Sequence, residues 1–310
     1  MKGKRVLVIG GAGFIGSHIA EQLADGNDVR VLDDLSTGRE GNLSSFGEVI
    51  DFRRGSILDL DLVKEVTKDV DYVFHEAALP SVERSVRDPA TTNSVNIRGT
   101  LNILEASKEN NVEKVVYASS SSVYGASQTL PKEESMPAEP ISPYGVSKLA
   151  TEHYCRIFNE IFDLRTTSLR YFNVYGPRQD PESEYAAVVP RFITRAMSGE
   201  ELVVFDDGNQ VRDFTFVLDT VEANVLAAER KESDGEVLNV ACGSTTRVND
   251  LAEMVFELVG QNTGVEYAPA RPGEIRDSWA DISKAERLLG FQPKYSMRMG
   301  MELTVESFRA

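Results

Sequence analysis

Three features of this 310-residue chain predict a doubly wound α/β fold. Short apolar runs alternate with amphipathic stretches through its first half, a glycine-rich turn follows the first run, and an aspartate closes the second. The runs are Arg5–Ile9, Asp28–Leu32, Val49–Arg53, Tyr72–Phe74, Lys114–Tyr117 and Arg165–Leu169. They are rich in Val, Ile and Leu without strict polar alternation, which suits parallel strands covered on both faces. Between them, Gly13–Ala24, Leu60–Lys68, Thr92–Asn110 and Pro143–Phe162 predict helices, completing a βαβ alternation.

After about Asn173 the pattern becomes irregular, punctuated by Pro177, Pro181, Pro190, Pro269, Pro272 and Pro293. Phe214–Glu229 and Val237–Val240 predict a helix and a strand that return to the sheet. Ser283-Lys-Ala-Glu286 has capping-box spacing and predicts the start of a late helix. The expected division is a cofactor domain over residues 1–172, with a return segment at about 213–241. A smaller mixed α/β substrate domain would come from residues 173–212 and 242–310.

Composition excludes several function classes. No apolar run approaches the roughly 18 residues of a membrane span. Met1 is followed at once by Lys2, Lys4, Arg5 and a strand-like run, so a secretion signal is not expected and a cytoplasmic setting is. The net charge of −16 argues against nucleic acid and anionic membranes as partners. The two cysteines, Cys155 and Cys242, lack metal-type spacing and read as reduced thiols, and no metal site is expected. An acidic protein that takes a phosphate-bearing ligand needs arginines placed locally.

Gly10-Gly-Ala-Gly13-Phe-Ile-Gly16 follows the first strand and opens the first helix. Glycine is required there because the backbone must turn tightly and approach a pyrophosphate at a helix N-terminus. Asp33 ends the second strand about 20 residues later, as in Rossmann dinucleotide sites. Its carboxylate accepts hydrogen bonds from the adenosine ribose and repels a 2′-phosphate, which favours NAD over NADP.

Ser142-Pro143-Tyr144-Gly-Val-Ser147-Lys148 begins a long helix, with Tyr144 and Lys148 one turn apart on one face. A phenol of pKa about 10 is a poor base at neutral pH. A nearby ammonium is expected to lower that pKa and make tyrosine a usable general base. Upstream, Tyr117-Ala-Ser119-Ser120-Ser121-Ser122-Val-Tyr124-Gly125 closes the fifth run, at the strand end where ligands bind in open α/β sheets. A serine hydroxyl there can relay a proton to the tyrosine.

Taken together, Gly10/Gly13/Gly16, Asp33, the Ser-Ser-x-x-Val-Tyr-Gly segment, Tyr144-x-x-x-Lys148 and Arg170-Tyr-Phe-Asn173-Val-Tyr-Gly-Pro177 resemble the extended short-chain dehydrogenase/reductase family over nearly the whole chain. The resemblance implies Ser120 as catalytic hydroxyl, Tyr144 as base and Lys148 as its partner and a ribose contact. It further implies NAD contacts from Phe14, Ile15, Ser56, Ile57, Ala77, Ala78, Asn96 and Tyr171. Two departures stand out. Ser56 replaces a common acidic contact to adenine, and Pro80 replaces a lysine found in galactose-type epimerases. The segment Ala77–Val82 must then make that contact through its backbone or Ser81.

The resemblance also narrows the reaction. Family 4,6-dehydratases and UDP-glucuronate decarboxylases place acidic groups after the catalytic hydroxyl, where this chain has Ser121 and Ser122. That disfavours dehydration and leaves 4-epimerisation of a UDP-sugar through a transient 4-ketosugar. Arg212 and Arg271 match arginines that hold the UDP phosphates, and bidentate contacts would offset the acidic surface. Asn173, Val189, Phe205 and Glu274 match diphosphate, uracil and ribose contacts. Ser278 stands where a bulky tyrosine confines some epimerases to unacetylated hexoses. Together with Arg178-Gln-Asp-Pro181 and Tyr185–Pro190, it implies UDP-GlcNAc/GalNAc and also UDP-glucose/galactose as substrates. UDP-glucuronate 4-epimerisation is the alternative, and a non-catalytic NAD sensor is the non-enzymatic rival. Homodimerisation through Thr92–Asn110 and Pro143–Phe162 is also implied.

Overall fold

The computed structural model describes residues 1–181, 187–270 and 275–309. Its first half runs β1 (Arg5–Ile9), α1 (Phe14–Ala24), β2 (Asp28–Asp33), β3 (Ile50–Arg54), α2 (Leu60–Val66) and β4 (Tyr72–His75). Then come α3 (Val82–Arg87), α4 (Pro89–Asn93), a wide π-type turn at Ser94–Gly99, α5 (Thr100–Glu109), β5 (Lys114–Ser120), α6 (Pro143–Phe162) and β6 (Arg165–Tyr171). The second half contributes β7 (Val174–Tyr175), α7 (Val188–Met197), β8 (Leu202–Phe205), β9 (Val211–Arg212), β10 (Thr215–Phe216), α8 (Val217–Glu229) and β11 (Val237–Val240). It ends with β12 (Thr246–Arg247), α9 (Val248–Val259), β13 (Val265–Ala268), α10 (Ser283–Leu289) and α11 (Met297–Ser307).

Seven of these strands form one parallel sheet in the order β11-β6-β5-β4-β1-β2-β3. This is the doubly wound arrangement that the sequence predicts, with its switch point between β1 and β4. The absence of polar alternation has a direct cause. Val6, Val8, Val29, Val31, Phe74 and Val116 pack on one face with Ile19, Leu23, Val221 and Ala227 from α1 and α8. Leu7, Ile9, Leu32, Val73 and Val115 pack on the other with Val63, Ile103 and Phe158 from α2, α5 and α6. Where both faces are dry, as along β1, β4 and β5, the inner positions select for apolar side chains, whereas β6 buries Thr166, Thr167, Ser168 and Arg170.

Two expectations about helices need correction. Thr92–Asn110 is not one regular helix but α4, the wide turn and α5. The Asn96 carbonyl accepts from the Thr100 hydroxyl at 2.5 Å and from the Thr151 hydroxyl at 3.4 Å. Competition of this kind between side chains and the backbone ladder opens a helical turn. At the late helix, Ser283 lies inside the first turn of α10 and Ile282 is its N-cap. The Asp281 carboxylate accepts from the Ser283 amide at 2.8 Å, so the capping carboxylate comes from upstream and not from a Ser283–Glu286 box.

The second half builds its own apolar cluster from Phe192, Ile193, Leu202, Phe216, Leu251 and Met301, drawn from α7, β8, β10, α9 and α11. Its strands pair only in twos: β7 with β10, β8 with β13, and β9 with β12. α8 and β11 return to the main sheet, where β11 pairs with β6. No helix among the described residues is long and apolar enough to cross a membrane.

Candidate active site

The glycine turn owes its shape to two near-contacts. Gly10 has φ +80°, and a Cβ there would sit 2.5 Å from the Ala77 amide nitrogen. A Cβ on Gly16 would lie 2.2 Å from the Gly10 carbonyl. Only glycine therefore lets α1 begin this close to the end of β1. Gly13 is the N-cap of α1 and offers no side-chain cap, and no acidic residue occupies the first turn. The positive end of the helix is thus left open to the cleft.

Asp33 is 8% exposed at the end of β2. One carboxylate oxygen accepts from the Ala12 amide at 2.9 Å and the other from the Leu35 amide at 2.8 Å. Burial raises its pKa while these two bonds oppose the rise. Asp33 therefore fastens the glycine turn to the second strand. Each oxygen keeps a lone pair for a ribose hydroxyl.

Gly10, Gly13, Phe14, Ile15, Gly16, Asp33, Ile57, Ala77, Ala78, Tyr144, Lys148 and Tyr171 all line one cleft along the strand ends. An uncapped helix start, a cradle that excludes Cβ atoms and a carboxylate lining the cleft at the end of β2 fit a dinucleotide. Pro80 lies on the rim of the same cleft. The hydroxyl of Ser81 is engaged elsewhere, accepting from the Arg84 amide at 3.0 Å as the N-cap of α3. Ser56 sits between the lining residues Gly55 and Ile57, its hydroxyl accepting from the Leu58 amide at 3.3 Å.

Asn96 lies beneath the cleft at 2% exposure and is not part of its lining. Its side-chain oxygen accepts from the Leu79 amide at 2.8 Å, and its nitrogen donates to the Leu79 carbonyl at 3.3 Å and the Ser147 hydroxyl at 3.0 Å. It ties the cleft rim to α6.

At the far end of the cleft, the Ser142 hydroxyl caps α6 by accepting from the Gly145 amide at 3.1 Å, and Pro143 fills the first helical position. This start fixes Tyr144, which is 9% exposed, and Lys148, which is 3% exposed. The Ser120 hydroxyl, at the end of β5, accepts from the Ser122 amide at 3.1 Å and is near enough to the Tyr144 phenol to favour its ionised form.

The largest influence on the Tyr144 phenol is its burial. Burial pushes the phenol up to about 12; the Ser120 hydroxyl favours its ionised form and the Glu76 charge opposes it. The Lys148 ammonium donates to the Ala118 carbonyl at 2.6 Å and sits 5.8 Å from the Tyr144 ring centroid. Burial also brings Lys148 down to about 8. Both groups lie under the surface together, so desolvation is the largest influence on each.

On the sugar side, Asn173 follows β6 with φ +34° and donates to the Asp213 carbonyl at 2.9 Å. Arg212 and Ser278, far apart in sequence, pair as a parallel bridge, and the Ser278 carbonyl accepts from the Asp213 amide at 3.0 Å. Phe205 ends β8, with the Arg191 guanidinium 6.0 Å from its ring centroid. Val189 is buried on α7. Ser121 and Ser122 form a short helical turn after Ser120. Arg271, Glu274 and Tyr185 lie outside the described residues.

Sequence reasoning missed Glu76. It follows β4, lines the cleft and accepts from the Tyr171 hydroxyl at 2.9 Å. Its signal was a lone acid between an apolar strand and Ala77-Ala78. Among the described residues, no cluster of three or more His, Cys, Asp or Glu could hold a metal.

Residues 6–241 match the model of the NAD dependent epimerase/dehydratase family. A UDP-glucose 4-epimerase of Mycolicibacterium smegmatis is 40% identical over 310 residues, covering 98% of each chain. Among solved structures, the UDP-N-acetylglucosamine 4-epimerase of Methanobrevibacter ruminantium M1, in complex with UDP-N-acetylmuramic acid, is 41% identical. It superposes with a TM-score of 0.96, covering 100% of this chain and 99% of that one. The UDP-glucose 4-epimerase of Thermotoga maritima, with UDP-glucose, is 42% identical at a TM-score of 0.94, covering 98% of each chain. With its glycine cradle, its Ser-Tyr-Lys end and a family match over most of its length, this chain belongs to the NAD-dependent epimerase/dehydratase family.

Proposed function

We propose that the chain is a UDP-hexose 4-epimerase, acting on UDP-GlcNAc/GalNAc and on UDP-glucose/galactose. The observation that carries this reading is the placement of Tyr144 and Lys148 in the lining of the dinucleotide cleft, with Ser120 ending β5 close enough to influence the phenol and Ser121 and Ser122 following it with no acid. When bound, oxidised NAD supplies a reversible two-electron acceptor and a positive charge beside the phenol.

Tyr144 takes the proton of the sugar 4-hydroxyl and returns it after the ketosugar has turned over. Ser120 stabilises the ionised form of the phenol. Lys148, donating to the Ala118 carbonyl, has further ammonium protons for a ribose hydroxyl. Arg212 and Arg271 are the proposed clamps on the diphosphate, and Asn173 a further proposed donor to it. Serines at 121 and 122 neither donate nor accept protons at neutral pH, so nothing there drives loss of water from the ketosugar.

The small Ser278 side chain leaves room for an N-acetyl group, which favours the wider substrate range. The chain is further proposed to pair with a second copy through α5 and α6, where Val146 and Ile161 are exposed at 50% and 66%. A monomeric mass at micromolar concentration in light scattering would contradict that pairing.

Product analysis with UDP-Glc, UDP-Gal, UDP-GlcNAc, UDP-GalNAc and UDP-glucuronate tests the reading. Interconversion of both the acetylated and unacetylated pairs is expected. Turnover of UDP-glucuronate alone would replace it with the uronate reaction, and binding without turnover would support a sensor.

A further inference from the structure

Glu76 has no role in the chemistry described so far. It stands at the end of β4, below the surface but open to the dinucleotide cleft on one side. Its carboxyl is held by the Tyr171 hydroxyl at 2.9 Å, and that hydroxyl is itself held by the Asn224 side chain on α8 at 2.8 Å. Its charge acts on both Tyr144 and Lys148, so it belongs to the redox end of the cleft. A purely structural acceptor for Tyr171 could be an amide. An ionisable group at this place has a consequence that an amide lacks.

We propose that Glu76 is a positioning residue that sets the redox poise of the bound dinucleotide, its carboxylate stabilising the cationic oxidised nicotinamide over the neutral reduced one. A buried charge acts on another through low dielectric, so even a one-charge difference at the nicotinamide is felt strongly. An epimerase must finish each turnover with its cofactor oxidised, and a poise toward the oxidised form serves that end. Lys148 works in the opposite sense, because its ammonium disfavours a neighbouring cation. The pair Glu76–Lys148 thus forms a balance at one end of the cleft.

Burial pushes Glu76 up to about 7, while the Tyr171 bond and Lys148 favour its ionised form. Lys148 and Tyr144 act on it from α6 and Tyr171 from β6, while α8 presents the neutral Asn224. The adjoining His75 turns to the Thr100 hydroxyl at 2.9 Å and is held neutral, its pKa lowered to about 3 by burial. Rising pH ionises Glu76 and so favours the oxidised cofactor. Reduction then carries an additional proton, and the potential falls more steeply with pH around neutrality than elsewhere.

The inference rests on the nicotinamide lying beside Tyr144 and Lys148, and its test separates the two. The midpoint potential of NAD bound to the full-length holoenzyme would be measured by equilibration with a redox dye, following reduced cofactor by absorbance. Glu76→Gln keeps an acceptor for Tyr171 and removes the charge. It should shift the oxidised-to-reduced equilibrium about tenfold toward the reduced form, about 30 mV for a two-electron couple, and abolish the steeper pH segment. Lys148→Met should shift it the other way. Tyr171→Phe, which removes a bond favouring the carboxylate, should move the steep segment to higher pH and covers the case in which the Gln variant fails to fold. If Lys148→Met shifts the potential and Glu76→Gln does not, the role of Glu76 is overturned. If neither does, the placement of the nicotinamide falls as well.

Discussion

The dinucleotide half and the sugar half of this molecule are held together by different means. The first is one seven-stranded sheet whose apolar strands are dry on both faces, with the cofactor cradle fixed by backbone contacts at Gly10 and Gly16. The second has strands paired in twos around a separate apolar cluster, and the groups proposed to meet the sugar nucleotide are side chains. A site built from backbone tolerates almost no substitution. A site built from side chains can change its ligand while keeping its frame.

The sharpest way to break this contrast is Gly16→Val. A Cβ at 2.2 Å from the Gly10 carbonyl cannot be accommodated by a side-chain shift, so α1 must move and dinucleotide binding should be lost. Retention of NAD in the purified variant would show that the cradle is adaptable after all. Next in size is Tyr144→Phe, which leaves the cradle intact. The variant should still bind NAD while turnover falls by about 10²–10⁴, the usual contribution of a positioned acid–base group. Single-turnover reduction of bound NAD by a UDP-sugar reads this directly.

In the sugar half, effects should be smaller and selective. Ser278→Tyr is expected to lower kcat/KM for UDP-GlcNAc at least tenfold relative to UDP-glucose, through steric exclusion in one pocket. An equal loss for both sugars would mean that the serine serves the frame. The smallest expected effect is at α10. Asp281→Ala should cost about 1 kcal/mol of stability by removing the acceptor for the Ser283 amide, whereas Ser283→Ala should cost much less. Denaturant melts of the two variants compare them.

The same contrast decides what could be read from sequence. Strands β1 and β11 and helix α6 occupy the predicted residues, because dry parallel strands and a capped long helix leave strong local patterns. β5 and β6 run further than the patterns suggest, to Ser120 and Tyr171, since their last residues carry the polar groups of the site. In the sugar half, α7, α9 and α11 were hidden by prolines and by strands of two residues, whose pairing comes from distant segments. The amphipathic spacing of Val248, Leu251, Ala252 and Val255, closed by a left-handed Gly260, would have revealed α9.

At the site, the Tyr144–Lys148 spacing was legible but its electrostatics were not. Helix periodicity says that the two share a face. It cannot say that the ammonium would donate to the Ala118 carbonyl, or that burial would dominate the phenol. Glu76 was invisible for a related reason. A single acid at a strand end acquires its meaning only once Tyr171 and Lys148 arrive from elsewhere in the chain.

The wide turn at Ser94–Gly99 has a consequence for how the molecule can vary. It takes up an extra residue in the middle of a helical segment. The stretch before it rests on α6, while α5 beyond it also rests on α2, and Asn96 faces inward between them. Deleting a single residue here would restore a regular spiral and remove the bulge that aims Asn96, while the helices on either side keep their faces. Asn96 would then swing away from Leu79, and the rim of the cofactor cleft would lose its tether to the catalytic helix. The conformation of these six residues, of which only Val95 reaches the cleft lining, thus sets how its rim is tied to the catalytic helix.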